Sequence, residues 1–423
     1  MATARSPTEV PHGELIAADS RRALSHRIVL PAIVGWFTAA VLVGLPDSAW
    51  IVAVSGFAAT VTCAAAAVAQ RRSRCRTPPR RARGHSSLLP LAAVVLLAAS
   101  LAAAAVAARA DSRTPEPLVA AADAGRSITV RLTVTEKSVI DDSRSRSLWD
   151  RSTDAAEGTA QRIRGTVTEL RIGDSRFGVS VPVLLFATVA GGHPAAIGSV
   201  LEATGVARLT QPGEAAAVLL FAGRPVHVLS GPPWTLAWAA GMRSEFVKQA
   251  SALPGTGGQL LPGLAVGDTT AVGDDLDQDM KTSSLTHLTA VSGANCAVIV
   301  AVLTGLLSLL GAPRWLRIAG SLAGLGLFVV LVTPEPSVVR AALMALAVLL
   351  ALAAGRPAAG LPVLSLVVLA VVIADPWLSR SYGFVLSALA TAGLLTLSRP
   401  LARMLRTVLP PGMAVAVAIP LAA

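Results

Sequence analysis

Long apolar runs separated by short polar connections make up most of the chain, and they predict membrane-spanning helices. Stretches of this length with few charges are typical of helices that cross the hydrocarbon core of a bilayer. Three of these runs lie before residue 110, and six more follow residue 284. Their approximate bounds are 28–45, 49–69, 87–108, 285–310, 316–332, 337–354, 358–374, 382–397 and a last run that begins near Pro411.

A different pattern occupies residues 111–233, where Val, Ile, Thr and Leu alternate with polar residues in short runs. Alternation of this kind predicts half-buried β-strands. The predicted strands lie at 127–137, 161–170, 177–187, 199–209 and 217–230. Five short strands suit a small β-barrel, and an OB-like barrel is one option.

Single-strand binding by an OB-like surface needs stacking aromatic rings and a basic groove. The segment offers Trp149, Phe177, Phe186 and Phe221, but its basic and acidic residues are equal in number. Two interpretations of this domain therefore stay open: a nucleic-acid binder, and a scaffold or gating domain.

The predicted fold is a polytopic α-helical membrane protein with an inserted, small OB-like β-barrel outside the cytoplasm. Residues 1–110 form N-terminal transmembrane helices with a basic loop, and residues 111–233 form the β domain. Residues 234–283 combine an amphipathic, interfacial helix with an acidic connector. Residues 284–423 form a transmembrane helical bundle.

Composition and charge agree with this class and predict an orientation. Hydrophobic residues make up 53% of the chain, charged residues make up 14%, and the mean hydropathy is +0.63. Most of the net charge of +11 comes from residues before 111, which hold 12 arginines and 4 acidic residues. Because cytoplasmic connections are enriched in Lys and Arg, the basic connector 71–83 predicts a cytoplasmic N-terminus and an external β domain. Trp234 and Trp238, which follow the β domain, suit the membrane interface.

Polar residues enter the apolar run that begins near residue 285, namely His287, Ser292, Gly293 and Asn295. Polar groups at bilayer depth find no hydrogen-bond partners in lipid, so they usually face a bundle interior or a water-filled path. An interruption of the helix at Gly293 would expose backbone groups, as in the discontinuous helices of transporters. The alternative puts His287 near the interface, with Ser292 bonded back to its own helix.

Arg340 is a further candidate for such a path, because it enters a predicted span from the predicted outer side. It either extends toward the membrane interface or faces an internal path. Two pairs of glycines four residues apart, Gly320 with Gly324 and Gly263 with Gly267, favour close helix packing.

Catalytic and metal sites are not predicted. Ser292 and His287 are five residues apart on one predicted helix, and nucleophilic catalysis needs the nucleophile and its base within hydrogen-bond reach. The acidic residues Asp275, Asp277 and Asp279 alternate as in a calcium loop, but the required glycine and glutamate positions are not filled. We therefore expect no catalytic residue, no metal and no cofactor.

Four motifs in sequence order resemble those of the ComEC competence proteins. They are LLPGLAVGD at 260–268, LTHLTAVSGAN at 285–295, PSVVRAALMALAVLLA at 336–351 and DPWLSRSYGFVLSALATAGLL at 375–395. The family is thought to form the bacterial inner-membrane channel that admits one strand of transforming DNA. The resemblance implies that the external domain meets the DNA and that the bundle conducts it. The residues expected to line the path are His287, Ser292, Gly293, Asn295 and Arg340.

Two departures from the family pattern matter. Many members have Ser-Gly-Leu-His where this chain has Ser-Gly-Ala-Asn at 292–295, so a role that needs the second imidazole is in question. Members usually continue with further spans and often with a metallo-β-lactamase-like domain. We therefore expect a C-terminally truncated member that has no nuclease activity and is not an enzyme.

The resulting interpretation is a multi-pass channel component of the bacterial cytoplasmic (inner) membrane for the uptake of single-stranded transforming DNA. Its expected partners are single-stranded DNA and the lipid bilayer, with other DNA-uptake proteins and further copies of the chain as additional candidates. Two alternatives stay open: a small-solute permease and a non-conducting membrane scaffold. The sequence leaves the roles of the motif residues Gly267 and Asp268 open.

Overall fold

Apolar helices and one β-sheet build the protein, which we describe from a computed structural model. The described residues are 28–74, 88–136, 138–140, 159–189, 195–268, 271–283, 285, 293–332, 336–353, 360–407 and 409–422. The helices before the sheet are α1 (Ile28–Leu42), α2 (Pro46–Arg74), α3 (Leu88–Arg113) and α4 (Glu116–Asp123). The strands are β1 (Ser127–Val134), β2 (Val139–Ile140), β3 (Thr159–Ile172), β4 (Ser175–Val189), β5 (Val200–Leu209), β6 (Val218–Ala222) and β7 (His227–Ser230).

The helices after the sheet form the rest of the bundle and its flanking segments. They are α5 (Trp234–Ser251), α6 (Thr256–Val266), α7 (Asp274–Thr282), α8 (Gly293–Leu309), α9 (Arg314–Val332), α10 (Pro336–Ala353), α11 (Gly360–Ala374), α12 (Tyr382–Leu405) and α13 (Pro411–Ala422). A 3-10 turn, Pro376–Arg380, connects α11 to α12.

Three of the described helical segments are long and apolar enough to cross a membrane: Pro46–Gln70, Leu88–Arg113 and Arg314–Val332. Five further apolar segments are shorter, namely Ile28–Leu42, Asn295–Leu309, Val338–Ala353, Gly360–Ala374 and Tyr382–Ser398. Leu285, the first residue of one predicted span, lies outside a helix, and the described helix of that span is α8, which begins at Gly293.

The sheet closes on itself through the order β1-β3-β4-β6-β5, because β5 pairs again with β1. All pairs in this ring are antiparallel except β4 with β6, which run parallel. The short strands β2 and β7 extend it by pairing with β3 and β5. All five predicted strands are therefore present, and the last of them is divided into β6 and β7.

Alternation along the strands places one face of the sheet in a shared apolar core. In β1, for example, every second residue is buried, as the sequence pattern predicted. The largest buried side chains of this core are Ile128, Leu132, Ile163, Leu170, Leu185, Leu201 and Leu220. The β domain (residues 127–230) thus has a hydrophobic core of its own.

The helix α10 lies between two apolar clusters of the bundle. On one side, Ala341 and Ala345 pack against the α8–α10 cluster, formed by the buried residues Cys296, Leu325, Val332 and Val338. On the other side, Met344 and Ala347 pack against the α11–α12 cluster, whose buried members include Leu364, Val368, Val372 and Phe384. This central helix therefore contacts both halves of the bundle.

Close packing between α8 and α9 depends on the predicted glycine pair. A Cβ at Gly320 would lie 2.7 Å from Leu307 Cδ1, and a Cβ at Gly324 would overlap Leu303 Cδ1. Between these two contacts, the hydroxyls of Thr304 and Ser321 are hydrogen-bonded at 2.8 Å. The small residues let the two backbones approach, which agrees with the prediction for this pair.

Candidate functional site

The β-domain end of the bundle is the end at which α8 and α10 begin and α9 and α11 finish. Short connections make successive helices antiparallel neighbours. The packing agrees, because Cys296 near the start of α8, Val332 at the end of α9 and Val338 near the start of α10 belong to one buried cluster. The 3-10 turn that follows α11 lies at this same end and contacts α3, as described below.

Arg340 lies inside the bundle near this end. The residue is 4% exposed, and its Nε and Nη1 atoms have no hydrogen-bond partner among the residues that the structure describes. It precedes Met344 by one helical turn and Ala347 by two, so it shares the face of α10 that packs toward the α11–α12 cluster. Each buried donor without a partner costs about 1–3 kcal/mol, and more when the group is charged. Of the two predicted positions for Arg340, the structure has the interior one.

Asn295 connects the start of α8 to the segment that precedes it. Its Nδ2 donates a hydrogen bond to the carbonyl oxygen of Leu264 at 3.3 Å. The side chain is half-buried, and the next residue, Cys296, is fully buried against α9 and α10. The amide therefore holds the last turn of α6 against the β-domain end of the bundle.

Gly267 ends α6 in the left-handed conformation, with a φ of +71°. Its N–H donates to the Gly263 carbonyl at 3.0 Å, and the N–H of Asp268 donates to the Pro262 carbonyl at 3.2 Å. This double closure is typical of a helix C-terminus that needs glycine. This conformation gives a reason for glycine at 267 that is separate from the predicted helix packing with Gly263, which stays a prediction.

Asp268 lies close to an arginine that the sequence did not single out. Arg243 on α5 donates from Nη1 to the carbonyl oxygen of Leu331 at 2.6 Å, and so satisfies the C-terminal end of α9. Burial lowers the pKa of the Arg243 guanidinium from its ordinary value, and the charge of Asp268 partly offsets this effect. Arginine still carries its charge at neutral pH. The motif aspartate thus supports a cation that caps a bundle helix.

The structure brings four of the predicted residues to one end of the bundle: Gly267, Asp268, Asn295 and Arg340. Gly293 is the first residue of α8 and lies at the same end. His287 and Ser292, which were predicted to share a path with them, lie outside the described residues.

Arg113 joins the β domain to this end of the bundle. It is the last residue of α3, and its Nη2 donates to the carbonyl oxygens of Glu214 and Ala215 at 3.0 and 2.7 Å. Both carbonyls belong to the β5–β6 loop (residues 210–217). The guanidinium also stacks on Trp377 of the 3-10 turn, 3.9 Å from the ring centre. No motif in the sequence pointed to this contact.

The outward face of the sheet carries two of the predicted aromatic residues. Phe186 and Phe221 stack with ring centres 5.1 Å apart, and the Arg208 guanidinium lies 5.9 Å from the Phe221 ring. Arg162 is the cross-strand neighbour of Phe186. Phe177 instead packs against the core of the β domain. Trp149 lies outside the described residues.

The described helices and the sheet define a helix-rich protein with segments suited to a membrane and an attached β domain. Residues 264–423 match the family model described as Competence protein. For the motifs that lie within these residues, the match confirms the resemblance to the ComEC-type competence family. No curated protein matches the chain, and no solved structure matches it. The family match points to a role in DNA uptake and, with the three long apolar helices, to a membrane protein.

Proposed function

We propose that the chain is a channel component through which single-stranded transforming DNA crosses the bacterial cytoplasmic membrane. The observation that carries this proposal is the buried Arg340, whose Nε and Nη1 atoms lack partners inside the region that matches the competence family. A buried cation between two apolar clusters, with two donor atoms that find no partner among the described residues, is expensive, so a transient anionic partner is its most direct physical explanation.

The phosphates of a single DNA strand would supply this anionic partner. Each nucleotide carries one phosphate charge, and the guanidinium fork matches phosphate oxygens in a bidentate geometry. The central position of α10, between the α8–α10 and α11–α12 clusters, supports a path along the seam between the two halves. Asn295, at the same end, adds an amide that donates and accepts hydrogen bonds. His287, Ser292 and Gly293 remain proposed members of this path.

The orientation of the proposed channel follows from its basic connections. The end of α2 at Arg74 and the start of α9, with Arg314 and Arg317, lie away from the β-domain end, and positively charged segments favour the cytoplasmic side. The β domain and Arg340 then lie toward the outside of a multi-pass protein whose N-terminus is cytoplasmic. An entering strand would meet the β domain first and Arg340 next.

The β domain is proposed to be OB-like and to contact the strand. The closed strand order and the parallel β4–β6 pair support this assignment. The Phe186–Phe221 pair with Arg208 nearby supplies the aromatic and cationic chemistry that single-strand binding uses. Other DNA-uptake proteins and further copies of the chain are proposed partners of the assembly.

Binding of a labelled oligonucleotide to the purified chain in nanodiscs tests the role of Arg340. The wild type should bind with an affinity that falls steeply with salt, because phosphate binding releases counterions. Arg340→Gln should weaken binding and lower the slope of log affinity against log salt by about 0.7, the contribution of one phosphate contact on a single strand. Arg403→Gln, which changes an exposed arginine on α12, is the matched control and should bind like the wild type.

Equal affinities and salt slopes for the wild type and Arg340→Gln would contradict the proposed phosphate contact. Salt-independent binding of a neutral solute, with no oligonucleotide binding, would instead favour the permease alternative.

A further inference from the structure

Two arginines of the bundle contact the β5–β6 loop. Arg113 reaches it from the end of α3 and donates to two backbone carbonyls. Arg380 reaches it from the 3-10 turn, where a Cβ at Gly213 would overlap its Nη1 atom. Gly213 also has a φ of +103°, which an L side chain rarely adopts. The backbone of the loop therefore lies directly against the bundle at two points.

The contacts of Arg113 are specific to a guanidinium. One nitrogen serves both carbonyls while the planar group stacks on Trp377, and a compact ammonium does not combine these geometries. The 3-10 turn is itself fixed, because Trp36 Nε1 of α1 donates to the Ser379 carbonyl at 2.9 Å. The loop is thus connected through Arg113 and this turn to the first and third helices.

An unfilled space adjoins these contacts. It has a volume of about 150 Å³ and lies beside Arg113 between the β domain and the helices. Its lining mixes apolar residues with the polar residues Asp47, Asp111, Thr210, Gln211 and Glu214. A space of this size with polar groups in its wall accommodates water. Because side chains do not fill this space, the arginine contacts contribute to the geometry of the joint.

We propose that Arg113 is a positioning residue that holds the β domain over the β-domain end of the bundle. In this position, a strand that leaves the β domain reaches the end of the bundle at which Arg340 lies. The inference rests on the proposed function for its substrate, but the position of the β domain is measurable without DNA. Loss of Arg113 should therefore loosen the joint and reduce transfer of the strand, while binding at Arg340 persists.

Cysteine cross-linking measures the joint directly. Asp47→Cys and Gln211→Cys, introduced together after the native cysteines are replaced by serine, put one thiol on each side of the cavity. With a short bifunctional thiol reagent, we expect high cross-linking yield in the otherwise native chain and a several-fold lower yield with Arg113→Gln. Arg109→Gln is the matched control, since Arg109 donates only to the Ala105 carbonyl of its own helix among the contacts that the structure describes.

Function is then measured with the same arginine variants in the native cysteine background. Arg113→Gln should reduce uptake of a labelled strand about tenfold, the effect of losing roughly 1.4 kcal/mol of coupling, and should leave oligonucleotide affinity in nanodiscs within about twofold of the wild type. Arg109→Gln should change neither. If Arg113→Gln does not accumulate, Arg113→Lys keeps the charge without the stacked planar group and should lower cross-linking and uptake in the same direction.

The outcomes separate this inference from the proposed function. Unchanged cross-linking with Arg113→Gln would overturn the positioning role, whatever the DNA result. Lost cross-linking with normal uptake would show that transfer does not need the joint, and would overturn the inference as well. A wild-type chain that cross-links but binds no oligonucleotide would defeat the proposed function, and with it the directed transfer.

Discussion

Asn295 donates from Nδ2 to the carbonyl oxygen of Leu264 across 31 positions of sequence, at 3.3 Å. This bond joins two of the competence motifs, one at the end of α6 and one at the start of α8. Gly267, three residues after Leu264, ends α6 in a conformation that directs the chain away from the helix. The two motifs therefore form one structural unit at the β-domain end of the bundle.

Replacement of Asn295 tests this unit. Asn295→Leu removes the donor and should lower the free energy of unfolding by about 1 kcal/mol, the usual net contribution of such a hydrogen bond. Thermal unfolding of the purified chain in detergent measures the change. Val298→Leu, at an exposed position one turn later on α8, is the control and should unfold like the wild type. An Asn295→Leu variant as stable as this control would mean that the bond does not hold the two motifs together.

The contact between α8 and α9 predicts unequal effects at two glycines of one helix. Gly324→Leu should separate the helices, because even a Cβ there overlaps Leu303, and should cost about 1–3 kcal/mol. Gly326→Leu should be tolerated, since no atom lies within 4 Å of its added Cβ. Thermal unfolding of both variants tests this difference. Similar melting temperatures for Gly324→Leu and Gly326→Leu would contradict the close packing of α8 against α9.

A second pair of glycine variants tests the packing of the β domain. A Cβ at Gly205 of β5 would overlap the Phe221 carbonyl oxygen of β6, and a backbone atom in a sheet cannot move aside easily. We expect Gly205→Ala to destabilise the chain by about 1–3 kcal/mol. Gly178→Ala, on β4 with open space around it, should be close to neutral. Strand content followed by circular dichroism on heating checks both, and the β5–β6 pairing would be in error if Gly205→Ala melted like Gly178→Ala.

Two exposed tryptophans on α5 predict a contact with lipid. Trp234 is 82% exposed and Trp238 is 45% exposed, and they lie one helical turn apart. Tryptophan rings at such positions prefer the interfacial region of a bilayer. Lipids brominated near the headgroup should quench the fluorescence of the reconstituted chain more than lipids brominated deep in the acyl chain do. The difference should shrink when both residues are replaced by Phe, and quenching unchanged by this replacement would place α5 away from lipid.

Local patterns predicted the elements well because each pattern has a local physical cause. Alternation of apolar and polar residues in β1 follows from one buried and one outward face, and the apolar runs follow from helices with few polar positions. The glycine pair of α9 was predictable for a similar reason, since residues four apart share one helix face.

The joint between the two parts could not be predicted from local pattern. Arg113 contacts a loop that lies 101 and 102 positions further along the chain, and it stacks on Trp377, which is more distant still. Nothing in the residues around Arg113 specifies these partners. Arg243 was missed for the same reason, because its acceptors are backbone carbonyls, which every residue provides.

Arg340 was recognised as unusual from its apolar surroundings, but its position was not. An arginine near the start of a span can extend toward water or turn inward, and the local sequence does not distinguish these two positions. The inward position depends on how α11 and α12 pack against α10. At Gly267 the sequence pattern suggested a different reason for glycine from the one that the structure shows. Its spacing from Gly263 predicted helix packing, whereas its positive φ requires glycine.

The most direct measurement is protection of a labelled single strand from external nuclease in cells whose own competence channel is deleted. The strain should be complemented with the native gene, with Arg340→Gln, and with the control Arg403→Gln, each at equal abundance in the membrane. We expect the wild type and the control to admit the strand, and Arg340→Gln to lose at least 90% of the protected label, a tenfold effect that corresponds to about 1.4 kcal/mol. Protection by Arg340→Gln equal to that of the wild type would contradict a strand path past Arg340.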